Sequence, residues 1–140
     1  MLATARRNAA KVHAADPQMI LQAAVFEIVS EQVETLPNPA WVFQAFDRPV
    51  EQRHFRYEAM LYPSGRGRDQ WWPGASVPDI SRPETQLWFY YLAASYIELG
   101  CEAIHFGQAE IMDGNDPDHS HWWDLLQRVR RYAAEHARRG

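Results

Sequence analysis

Cys101-Glu-Ala-Ile-His105-Phe-Gly-Gln108-Ala-Glu110-Ile-Met112 puts a histidine, an amide and a carboxylate at the end of a short apolar run. A second acid, Glu27, closes an earlier apolar run, Met19 to Val29. In α/β proteins ligands meet the C-terminal ends of strands, so these side chains mark a candidate site. A carboxylate among apolar neighbours suits general acid or base work. Two carboxylates flanking a bond are what glycoside hydrolysis uses, and Glu27 with Glu110 supplies such a pair. His105 is the third catalytic candidate. Gln108 is suited to bonding sugar hydroxyls or orienting a water.

Further candidates lie between residues 47 and 80, a long stretch with few periodic signals. Trp71-Trp72 precede Pro73-Gly74 and are costly to expose, so they either fold onto the core or line a cleft. Arg53, Arg56, Arg66 and Arg68 offer guanidinium forks for a carboxylate or phosphate. Arg56 and Glu58 join Gln108, Trp71 and Trp72 as substrate-binding candidates. Long irregular loops are often lids or binding loops. Asp113, Asp116, Asp118, His119 and His121 resemble a metal loop in composition alone, because their spacing fits neither an EF-hand nor a His-Glu-x-x-His helix. No metal and no cofactor are expected, and no Gly-x-Gly-x-x-Gly, Walker or Gly-x-Ser-x-Gly pattern occurs.

The elements that must position these groups read as follows. Leu2 to Ala15 is a helix stopped by Asp16-Pro17. Met19 to Val29 is a buried parallel strand. Pro39 to Phe46 is a short helix. Ser81-Arg-Pro-Glu84 is a capping box that opens a helix from Glu84 to Leu99, ended by Gly100. Glu102 to Gln108 is the second strand, and a last helix runs from about Ser120 to Arg138. Strands alternating with helices imply an α/β fold with a parallel sheet. By alternation, Ile104 and Phe106 face helices while Ala103, His105 and Gly107 face the opposite side. The same rule puts Phe26 and Ile28 on one face and Val25 and Glu27 on the other, so Glu27 and His105 are expected on one side.

The 140 residues suggest one domain, 1–140. A net charge of −4 argues against a nucleic-acid partner. Arg128, Arg130, Arg131, Arg138 and Arg139 read as a solvated helix end. The single cysteine, Cys101, rules out an intrachain disulfide and fits a cytoplasmic location, while Leu87 to Leu99 is too short to span a membrane. Cys101 stands at the start of a strand, the inert end.

Phe26-Glu27 near one strand end, with Ala-Ile-His105-Phe-Gly-Gln108-Ala-Glu110 at another and a long aromatic loop before Val77-Pro-Asp79-Ile, resembles pieces of a TIM-barrel glycoside hydrolase. The resemblance implies a (β/α)8 scaffold, carboxylate catalysis and a carbohydrate ligand. Two strands supply only part of such a barrel. The chain therefore reads as a partial TIM-barrel segment that is completed by a homo-oligomer or a complementary segment. Two other readings stand beside it: a non-catalytic fragment or assembly module whose Glu27 pairs with an arginine, and a metal-dependent hydrolase or isomerase on the same scaffold.

Overall fold

The computed structural model describes residues 2–139. Helix α1 spans Leu2–Ala15, an alanine-rich stretch of high helix propensity. It ends at Asp16, whose carboxylate accepts the Gln18 N–H at 2.8 Å in a turn ahead of the first strand. Strand β1 is Gln22–Val25 and strand β4 is Ala103–Phe106. They pair in parallel, with Ala24 opposite His105 and Val25 opposite Phe106. The fold is thus mixed helix and sheet around a small parallel sheet.

Both strands are shorter than their apolar runs suggest. After Val25 the chain bends, and Val29–Ser30 forms β2 in a separate antiparallel pair with β3, Ala75–Ser76. One face of the parallel pair is covered. Val25 belongs to the core, and Phe106 stacks on Phe89 and meets Trp122 edge-on. Ala24 and His105 occupy the open face. The alternation expected for β4 therefore holds, with Phe106 towards the helices. For β1 the expected grouping also holds, with Val25 and Glu27 buried and Phe26 57 % exposed, but the face carrying Val25 is the one turned to the helices and not the one shared with His105. The register explains this, because directly opposed residues of paired strands share a face.

Helix α2 is Ala40–Ala45, with Pro39 just before it. Helix α3, Pro83–Glu98, is buried on nearly every side, as an all-round apolar helix must be. Gly100 ends it at φ +96°. The Gly100 N–H donates to Ile97 O and the Cys101 N–H to Tyr96 O, which closes the helix in a Schellman turn. Its start differs from the expected capping box. Arg82 is the cap residue, with no side-chain bond to the first turn. The Glu84 carboxylate is taken instead by the two arms of Arg53, at 2.7 and 2.8 Å, and by the Arg56 N–H at 3.0 Å. A two-pronged, charge-assisted pair outcompetes a reach-back to a single cap amide.

Helix α4, Ala109–Met112, is a short turn that the sequence reading did not foresee. Helix α5, Ser120–His136, packs Trp122, Leu125 and Val129 inward. Its N-terminus is capped by Asp116, whose oxygens accept the N–H groups of His121 and Trp122 at 3.1 Å each.

The stretch 47–80 is pinned rather than free. Phe55, Tyr57, Met60, Leu61, Tyr62, Val77 and Ile80 are all buried in the main core. The Met60 carbonyl accepts from Asp79 N and Thr85 Oγ1, and the Ile80 N–H donates to Met112 O. Fully burying an aromatic side chain such as Phe55 contributes about 1.5–3 kcal/mol. Several such residues anchor the segment across α3, so it forms part of the core and not a lid over it.

Candidate functional site

The site is built where β1 and β4 end. Gln108 follows β4 with a positive φ of +25°. A non-glycine residue adopts this region at a cost, and such residues gather at functional sites. The twist turns its side chain back across the sheet end, where Gln108 Nε2 donates to Glu27 Oε1 at 2.7 Å. Glu27 is 5 % exposed, and its second oxygen, Oε2, is buried with no hydrogen-bond partner. Gly107 makes this arrangement possible. A Cβ there would stand 2.7 Å from Glu27 Oε2 and 3.0 Å from Phe26 Cδ1. The absence of a side chain at Gly107 thus leaves room for the Glu27 carboxylate.

A carboxylate with one oxygen fixed and the other buried and unpaired is costly by itself. The hydrogen bond from the Gln108 amide to Oε1 sets the orientation of the group and leaves Oε2 without a partner. Among the described residues no arginine is bonded to Glu27, whereas the buried carboxylates of Glu84 and Glu102 each take one.

The other candidates are spread more widely. His105 lies on the open sheet face, beside Ala24, and does not share the covered side with Glu27. Glu110 is exposed in the single turn of α4. Glu58 forms a surface pair with Arg68, at 2.6 and 2.9 Å, and this guanidinium holds its carboxyl below the usual range, the wrong direction for a neutral acid near pH 7. The Arg56 guanidinium is exposed, 3.5 Å from Glu51. Trp71 and Trp72 protrude at a tight turn, where the Ala75 N–H donates to Trp72 O and Gly74 has φ +77°. Of the six tryptophans, Trp88 and Trp122 are in the core and the other four are exposed.

In the acidic turn, Asp116 caps α5, the Asp118 side chain accepts the Ser120 N–H, and Asp113 lies 3.2 Å from His119 Nδ1. Among the described residues, no three His, Cys, Asp or Glu side chains are grouped to hold a metal ion. No helix among them is long and apolar enough to cross a membrane. Sequence reasoning passed over Asp79 as a buried acid. It is fully buried, bonded to Ser81 N and Asn115 Nδ2, and the Pro78-Asp79 step after an apolar valine was its only signal.

Comparison with protein-family models, with curated proteins and with solved structures finds no match to this chain.

Proposed function

We propose that the protein is a carboxylate-dependent hydrolase acting on carbohydrate, in the manner of glycoside hydrolases, and that β1 and β4 are two strands of a (β/α) barrel-type scaffold. The observation that carries this reading is the Glu27–Gln108 pair, with Glu27 Oε2 buried and unpartnered at the strand ends. In this reading Glu27 handles the proton at the glycosidic oxygen, and Gln108 fixes its orientation. Glu110 is the second carboxylate, and His105 with Trp71, Trp72 and Arg56 contacts the sugar once neighbouring strands bring the loops together. The test is hydrolysis of a panel of nitrophenyl glycosides by purified protein beside Glu27→Gln. Turnover that the variant loses supports the reading. Equal rates for both would sink it.

A second reading, an assembly module, is favoured by one specific feature. Each strand of the β1–β4 pair has a single partner among the described residues, and one face of the pair is open, whereas parallel sheets are ordinarily covered on both faces. Light scattering and turnover together separate the two readings. A folded monomer argues against both the module and the barrel segment, and a defined oligomer without glycoside turnover argues for the module.

A further inference from the structure

A cavity of about 540 Å³, lined by neither Glu27 nor Gln108, opens between α1, α2, α3 and α5. It lies beside the last turn of α3, through Ser95, Glu98 and Leu99, which directly precedes β4, whereas Gln108 follows that strand. Its volume is within the range of about 300–1,000 Å³ typical of small-ligand sites. Trp41 forms one wall, 37 % exposed and braced by stacking on Tyr91 and Tyr132 at ring distances of 5.9 and 6.2 Å. Glu98 presents a carboxylate whose Oε1 accepts the Tyr132 hydroxyl at 2.8 Å, and His136 Nδ1 lies 3.4 Å from the same oxygen. Arg6 reaches the cavity from α1.

The lining selects a ligand class. Glu98 disfavours an anion and Arg6 disfavours a cation, because like charges in a partly enclosed site repel. What fits is a neutral ring with one apolar face, for Trp41, and a hydroxyl edge. Its hydroxyls donate to Glu98 and accept from Arg6, and Ser95 does either. We propose that this cavity is a binding site for a neutral pyranose sugar, separate from the Glu27 site and independent of any hydrolysis there.

The experiment is amide chemical-shift mapping of the whole protein titrated with methyl β-glucopyranoside. Benzyltrimethylammonium and benzoate serve as cationic and anionic ring controls. Shifts are expected at Ala3, Ser95 and Leu99, with affinity of about millimolar order, and weaker responses to both controls. Trp41→Ala should weaken the sugar response about tenfold or more. Because Trp41 also braces neighbouring tyrosines, Ala3→Trp provides a second test: it adds bulk at an exposed position on the cavity and should abolish the shifts with the fold intact. Absence of sugar shifts, survival of the shifts in Ala3→Trp, or tighter binding of either charged control at these residues would each overturn the proposal.

Discussion

Gly107 lies against the carboxylate of Glu27, so near that an added methyl carbon would stand 2.7 Å from Oε2. The two residues are 80 positions apart and meet only because β1 and β4 run side by side in parallel. Gly107→Ala must push the buried acid, the Phe26 ring or the backbone aside. The expected cost is about 1–3 kcal/mol, read as a lowered denaturation midpoint. Glu27→Gln keeps the volume and should leave the midpoint within about 1 kcal/mol of the parent. A Gly107→Ala protein as stable as the parent would contradict this packing.

Arg53 and Glu84 tie the long segment to the first turn of α3. Both side chains are largely buried, and the pair is two-pronged. Removing one partner strands the other charge, so Arg53→Ala should cost about 3–5 kcal/mol, with Glu84→Ala similar. The double variant should be less destabilised than the sum of the singles, which a thermodynamic cycle measures. Simple additivity would mean the pair is not coupled.

Glu102 governs an acid-dependent part of stability. Burial pushes its carboxyl pKa up, but the Leu21 N–H at 2.9 Å, Arg138 at 2.7 Å and His13 at 3.3 Å outweigh that and hold it below the ordinary value. A carboxyl with a depressed folded pKa contributes stability that is present above its unfolded pKa, about 4.3, and is lost as pH falls through the folded value. Below about pH 4 the parent should therefore lose stability more steeply than Glu102→Gln. Parallel curves for the two proteins of melting temperature against pH would refute the assignment.

Cys101 should be a slow nucleophile. Burial, and then the neighbouring Glu102 charge, push its thiol pKa up, so little thiolate exists at neutral pH. Alkylation by iodoacetamide at pH 7.5 should run well below the rate of a free cysteine in the same buffer. An equal rate would show that the thiol is open and unperturbed.

How far the sequence carries depends on where local rules decide the structure. Helix α1 has its boundary written in Asp16-Pro17, and the end of α3 in Gly100, because proline and glycine act on the backbone directly. The apolar run from Met19 to Val29 carries no such mark. A continuous apolar stretch has no period from which to read a bend, so the turn after Val25 and the two-residue strands β2 and β3 were invisible. Ser81-x-x-Glu84 has the form of a capping box, yet a distant arginine claimed the acid, and such pairings are not local. Glu27 and Gln108 were both singled out as polar groups ending apolar runs. Their direct bond was not legible, because it rests on a left-handed backbone at Gln108 that no propensity foretells.

Glu102 has one more consequence. Through its two oxygens and its own N–H it is bonded to Leu21 and Arg138, and it touches His13, so α1, the start of β1, the start of β4 and the residues beyond α5 meet at one carboxylate. None of the four can open without giving up a contact that the others share. In native-state deuterium labelling their protected amides should therefore exchange as a single cooperative unit with one opening free energy, although they come from distant parts of the chain.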